Sequence, residues 1–217
     1  MFSTKSAKTA PVQSRIRVPQ LYYRQPVISR LVSRYGLSVN ITAASLISGN
    51  DNDGWFDVEL QGNPQQLAKS LSYLQGLGVD LVQLGIAGNL HKSENSQPFP
   101  IRDRSINQSE SGSLTSQWQT QFQHEIFSGQ ANRLRLQLCI LKSYYQKPII
   151  SELVSCYGLT VNITSALLNP DVEDDGWFDL ELWGRPQQLS SSLSYLEKLG
   201  LPLWVESACC GNNNLIE

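Results

Sequence analysis

The sequence predicts an α+β protein made of two tandem βαββαβ units, each an antiparallel sheet with helices on one face. Three observations carry this. First, the 217-residue chain is internally duplicated: YYRQPVISRLVSRYGLSVNIT from Tyr22 returns as YYQKPIISELVSCYGLTVNIT from Tyr144, and DGWFDVELQGNPQQL from Asp53 returns as DGWFDLELWGRPQQL from Asp175. The spacing never changes: Pro26 maps to Pro148, Asn40 to Asn162, Trp55 to Trp177 and Tyr73 to Tyr195. So long a period suits a complete small domain rather than a solenoid unit. Second, segments of period two alternate with segments of helical period in a fixed order. Third, each helix has a single apolar stripe, so both must cover the same side of a sheet.

Arg15–Leu21 alternates, with Ile16 and Val18 on one side, and reads as the first strand. Its counterpart Leu134–Leu141 does so more clearly through Leu136, Leu138 and Ile140. Pro26 opens a helix whose stripe is Ile28, Leu31, Val32 and Tyr35, and Gly36 stops it. Ser38–Leu46 is a second strand, with Val39 and Ile41 on one face and Asn40 and Thr42 on the other. Gly49–Gly54 is turn chemistry. Trp55–Gln61 is a third strand with Phe56, Val58 and Leu60 toward the core. Asn63-Pro64 is an N-cap followed by proline at the first helical position. The second helix is expected to bury Leu67, Leu71 and Leu74 and to end at Gly78, and Val79–Leu84 is the last strand.

The units span 14–85 and 131–206, with a C-terminal tail at 207–217. Each has a marginal core for its size, which makes pairing inside the chain, as an intramolecular pseudo-dimer, physically attractive. Between them, residues 86–130 form a linker that is first polar and rich in Ser, Asn and Pro. It then carries Leu114, Trp118, Phe122 and Ile126 at four-residue steps, which reads as a short amphipathic helix over 114–127 packing on one of the domains.

The formal net charge of −2 gives no bulk attraction to nucleic acid or an anionic membrane, and no apolar stretch is long enough for a transmembrane helix. The N-terminal MFSTKSAKTAPVQSR lacks the apolar core of a secretory signal and reads as a disordered arm. Cys139, Cys156, Cys209 and Cys210 have no CxxC spacing, so zinc, iron–sulfur and disulfide frameworks are not expected and a reducing cytoplasm is the default. Cys209-Cys210 reads as an incidental tail pair, and its role stays open. Asp51, Asp53, Asp174 and Asp175 hint at calcium, but the EF-hand template fails because Gly49 takes the first ligand position and Leu60 the twelfth. His91 and His124 fall in the linker, away from a second ligand. No metal, no cofactor and no catalytic residue is expected.

The run P-[VI]-I-S-x-L-V, Y-G-L-x-V-N-I, the D-G-W-F-D-[VL]-E-L strand, the G-x-P helix start and the L-S-Y-L close together resemble the NIL domain, named for an Asn-Ile-Leu motif on its second strand. Here the motif reads Asn40-Ile41-Thr42 and Asn162-Ile163-Thr164, so its third position departs from the name. The resemblance implies a ferredoxin-like, ACT-like fold. It also implies a regulatory role, because in methionine importers this domain binds methionine and inhibits transport. It points to the two motif triplets as ligand-binding residues, with Asn40 and Asn162 at the centre. No Gly-rich phosphate loop is present, so no ATPase accompanies them.

A strand Asn facing solvent is unfavourable, and two readings compete for Asn40 and Asn162: satisfying a bulge or strand-end backbone group, or offering an amide to an amino-acid ligand. Trp55, Asp57 and Glu59, with Trp177, Asp179 and Glu181, share the open face by alternation. All six are expected at an interface, with the tryptophans as its anchors, together with Trp118 and Phe122 of the linker. The carboxylates lack a nucleophile or His, so ion pairing with Arg15, Arg17 or Arg135 is the better account than acid–base chemistry. RNA binding is disfavoured because those carboxylates lie where phosphates would. The expectation is a non-catalytic regulator that senses a small ligand, methionine or another amino acid, and signals to a protein partner. The alternative is an interaction or assembly module without ligand binding.

Overall fold

The computed structural model describes residues 10–47, 53–86, 131–172 and 174–210. Most of the N-terminal arm, part of the first turn, nearly all of the linker with its 114–127 segment, and residues 211–217 lie outside the described residues. The first repeat runs β1 (Val12–Val18), α1 (Val27–Tyr35), β2 (Ser38–Leu46), β3 (Gly54–Gln61), α2 (Pro64–Gly76) and β4 (Asp80–Ile86). The second runs β5 (Ala131–Ile140), α3 (Ile149–Ser155), β6 (Thr160–Leu168), β7 (Gly176–Trp183), α4 (Pro186–Lys198) and β8 (Leu203–Cys210). A short 3-10 turn follows the first strand of each, at Gln20–Tyr22 and Lys142–Tyr144. Each repeat is therefore the expected ferredoxin-like βαββαβ unit.

The two units join edge to edge. All eight strands form one sheet in the order β4-β1-β3-β2-β6-β7-β5-β8, with every neighbouring pair antiparallel. The seam is short: Ala44, Ser45 and Leu46 of β2 pair with Leu168, Leu167 and Ala166 of β6. This places a pseudo-twofold axis near Ser45 and Leu167, and makes the chain an intramolecular pseudo-dimer. The buried apolar side chains of both repeats form one continuous cluster, which runs from Ile16 and Leu31 through to Leu153 and Leu196.

Local chemistry explains the elements. Gly36 and Gly158, both at φ 68°, turn the chain out of the first helix of each repeat in the left-handed region that glycine tolerates. Asn63 caps α2 by accepting from the Gln66 amide at 2.9 Å, while the Gln66 side chain accepts from the Asn63 amide at 2.8 Å.

Four expectations need correction. β1 spans Val12–Val18 rather than Arg15–Leu21, so it takes in part of the expected arm. Pro19 removes a ladder donor and ends the strand, leaving Leu21 70% exposed. β8 continues to Cys210, past the expected end of the second unit at 206. In α2, Leu71 is exposed, and the inward stripe runs through Leu67, Ser70, Leu74 and Leu77. Ser70 and its counterpart Ser192 are fully buried and donate to the carbonyls of Leu67 and Leu189, both at 2.7 Å. That local bond lets a small polar residue hold a core position that a Leu stripe had been expected to fill. Lastly, Asn40 and Asn162 do not face solvent: they are 7% and 2% exposed. Among the described residues, no helix is long and apolar enough to cross a membrane.

Candidate functional site

The seam joins only the last residues of each strand, so the first halves of β2 and β6 run out on opposite sides of the axis, unpaired with one another. Each of these strand edges is covered by the other repeat. Val39 N–H donates to Ser151 Oγ of α3 at 3.2 Å, and Val161 N–H donates to Ser29 Oγ of α1 at 3.1 Å. Both serines are buried. These helices thus have two buried sides, one on their own sheet and one on their partner repeat, which a single-stripe reading of the helix cannot show.

The motif triplets lie at this junction. Asn40 Nδ2 donates to the Tyr145 carbonyl of the second repeat at 2.9 Å, and Asn162 Nδ2 donates to the Tyr23 carbonyl of the first, also at 2.9 Å. The strand asparagines therefore clamp the partner repeat's backbone rather than a bulge or strand-end group of their own strand. Ile41 and Ile163 are buried beside them. Thr42 and Thr164 sit where the β2–β3 and β6–β7 registers slip. Their hydroxyls donate to the carbonyls of Asp57 at 3.2 Å and Asp179 at 3.1 Å. A β-bulge leaves ladder groups unpaired, and a Thr hydroxyl can answer one where Leu could not. This gives a physical reason for Thr at the third motif position.

Two clefts open on either side of the axis, each lined by matching residues from both repeats. One holds Asn162 with Val161, Ile163, Tyr22, Tyr23, Gln25, Pro26, Val27 and Ile28, and its free volume is about 20 Å³, room for about one water. The other holds Asn40 with Val39, Ile41, Tyr144, Tyr145, Lys147, Pro148, Ile149 and Ile150, and its free volume is about 10 Å³. Both have apolar walls with an amide among them.

Their rims differ. In the Asn162 cleft, the Gln25 Oε1 accepts from Arg30 at 2.9 Å, and Arg30 also donates to the Tyr73 hydroxyl at 3.2 Å. In the Asn40 cleft, Lys147 takes the place of Gln25 and Glu152 that of Arg30. Lys147 Nζ lies 3.6 Å from Glu152 and over the Tyr195 ring, and Tyr195 donates to Glu152 through a very short hydrogen bond. Burial pushes the Tyr145 phenol up to about 12, with the charges of Asp175 and Asp174 adding to it, so it stays protonated at neutral pH. Its hydroxyl donates to the Asp174 carbonyl at 2.6 Å.

The other singled-out residues lie on the open face of the sheet, away from these clefts. Asp57 takes a bidentate ion pair from Arg15, at 2.6 and 2.7 Å. Glu181 accepts from Arg133 at 2.5 Å and Arg135 at 2.8 Å. Asp179 accepts from Gln137 at 2.8 Å, and Glu59 from Gln13 at 3.5 Å. The repeats have exchanged charge across strands: arginine faces Asp57 in one and Glu181 in the other, while glutamine faces the remaining acid. Arg17 pairs with Asp53 and Asp80 instead, and its guanidinium lies 5.8 Å from the Trp55 ring centre. Trp177 stacks at 5.4 Å on Trp204. Cys139 is buried, and burial pushes its thiol up to about 11, which makes it a poor nucleophile. Trp118 and Phe122 lie outside the described residues. Among the described residues, no cluster of three or more His, Cys, Asp or Glu side chains could hold a metal ion.

The class defined by this architecture is a tandem ferredoxin-like pseudo-dimer with paired clefts at its seam. The NIL domain model matches residues 14–82 and 134–205, and the chain belongs to that family. An uncharacterized protein of Synechocystis sp. is 38% identical over 82 residues, which are 38% of this chain and 84% of that protein. An uncharacterized protein of Synechococcus elongatus is 32% identical over 74 residues, which are 34% of this chain and 91% of that protein. Both relatives are about the size of one repeat. Among solved structures, a putative glycine cleavage system transcriptional repressor overlaps 95% of this chain and 100% of its own, with a TM-score of 0.31 and 9% identity. The small subunit of acetolactate synthase from Thermotoga maritima overlaps 96% and 100%, with a TM-score of 0.26 and 10% identity. At those scores the likeness decides nothing about ligand or activity.

Proposed function

We propose that the chain is a regulatory module whose two seam clefts hold a small amino acid, methionine foremost, and whose response to it is passed to a protein partner. The observation that carries this is the placement of both motif asparagines and their flanking residues in matched clefts between repeats. Membership of the NIL domain family supports it, since that family's motif is what lies there. The chemistry is suitable. Apolar walls from Ile41, Ile149 and Ile150, or from Ile163, Val27 and Ile28, suit an unbranched apolar side chain. Asn and backbone groups offer both donors and acceptors to the ligand's main-chain ends, and Lys147 offers a cation to a carboxylate in one cleft. Because each cleft takes walls from both repeats and is narrow in this arrangement, an amino acid enters only as the two units shift apart, which is a direct route from occupancy to a change in rigidity or surface. The single-repeat size of the relatives fits the idea that this chain fuses two protomers.

Titration calorimetry of the wild type with the twenty amino acids at millimolar concentration should give measurable heat for methionine, with no more than two sites per chain. No binding by any of them would overturn the ligand reading and promote the alternative, an assembly module whose clefts are only structural.

A further inference from the structure

The two repeats have kept their cores and their seam but have diverged on the open face. Leu167, Trp177, Trp183 and Trp204 of the second repeat stand where the first has Ser45, Trp55, Gln61 and Val82. Leu167 is 43% exposed beside Trp177 in the β6–β7 ladder, and Trp204, which stacks on Trp177, is 48% exposed. Trp183 lies under the Arg133 guanidinium. Exposed, contiguous apolar surface of this kind usually has an occupant. The first repeat exposes only Trp55 and Val82 at the matching positions, with Arg17 over the Trp55 ring, so the larger apolar surface is on the second repeat and its occupant should occur once per chain.

We infer that residues 114–127, the segment carrying Leu114, Trp118, Phe122 and Ile126, dock on the open face of the second repeat. Three observations select this occupant. First, the chain leaves the first repeat at Ile86 on β4 and re-enters at Ala131 on β5, six strands further along the sheet. Six spacings are about 29 Å. The registers also put Ile86 and Ala131 at opposite ends of the sheet, because Ile86 is level with Val12 and Leu60, while β5 begins near Trp183 and Thr160. The two ends of the intervening segment thus lie diagonally across the sheet from one another, and the face that the described helices leave open offers the direct route between them.

Second, residue 127 is four residues from Ala131, a reach of about 14 Å at most. This tethers the segment to β5, whose neighbours β7 and β8 carry Trp177, Trp183 and Trp204. The tether gives the second repeat a large advantage in effective concentration over the first. Third, the lengths agree: fourteen residues of helix measure about 21 Å, and Trp177 to Trp183 along β7 measures about 20 Å. Glu181, Arg135 and Asp179 lie between those tryptophans, already paired within the sheet, and the polar Gln117, Gln121 and Gln123 of the segment suit their rim.

Peptide-resolved hydrogen exchange on the full chain tests this. In the wild type, amides of 114–127 should exchange at least tenfold more slowly than an unstructured peptide of the same sequence. Trp204→Glu should bring them to the unstructured rate, while Val82→Glu, at the matching position on the first repeat's open face, leaves them protected. Trp118→Glu, which leaves both repeats unaltered, should also release the segment with the sheet amides still protected. Unstructured rates in the wild type, or protection that survives Trp118→Glu, or protection that survives Trp204→Glu in a folded second repeat, would overturn the docking.

Discussion

Replacing both junction asparagines by alanine should destabilise the fold by about 2–6 kcal/mol, from about 1–3 kcal/mol at each site where a partly buried carbonyl loses its donor. Asn40 and Asn162 reach different carbonyls, those of Tyr145 and Tyr23, so the two losses should be close to additive. The deleted atoms are few, and the penalty comes from the orphaned acceptors. Urea unfolding of the single and double variants reads it directly. If both singles were within a few tenths of a kcal/mol of wild type, water or a rearranged junction would be satisfying those carbonyls, and the clamp would be of no consequence. Any loss of amino-acid affinity in these variants has to be judged against this structural effect. The separating observation is affinity measured at a temperature where the variant is still fully folded.

The second large effect is expected at Leu153. It is fully buried on α3, the helix that faces both its own sheet and β2 of the other repeat. Leu153→Ala should destabilise by about 2–5 kcal/mol, the range for a buried leucine whose cavity the surroundings only partly fill. Because the apolar cluster is continuous across the seam, the loss should shift one transition for the whole chain. Two resolved transitions, with only the second repeat's affected, would show that the repeats unfold independently and that the seam is weak.

Much of this was legible in the sequence because the repeat states each element twice. Where Arg15–Leu21 is a weak alternation, Leu134–Leu141 is a strong one; where Asn63-Pro64 announces a helix start, Arg185-Pro186 repeats it. The turn glycines Gly36 and Gly78 and the inward residues of β3 could be placed because each depends only on local backbone or on period-two alternation. What could not be read is what depends on the other repeat. Ser29 and Ser151 look like surface residues on a one-stripe helix, yet they are buried against β6 and β2. Asn40 looked solvent-facing because alternation knows only two faces of a strand, and its partner lies off the strand's edge. One signal was available. Ser29/Ser151 and Asn40/Asn162 are polar and identical in both repeats, whereas the ion pairs of the open face were shuffled between Arg15–Asp57 and Arg135–Glu181. Polar identity without charge is what a shared junction demands. Leu71 differs for another reason: the leucine spacing points it inward, while Ser70 holds the inward position through its own backbone bond.

The most direct test of the central claim is where methionine acts on the intact chain. Backbone amide resonances should be followed during titration with L-methionine to millimolar excess. The account predicts that the largest shifts fall on Tyr23, Val27 and Ile163 in one cleft and on Tyr145, Ile149 and Ile41 in the other, with Trp55 and Trp204 on the open face unmoved. Shifts centred on the open face, with both clefts silent, would contradict it.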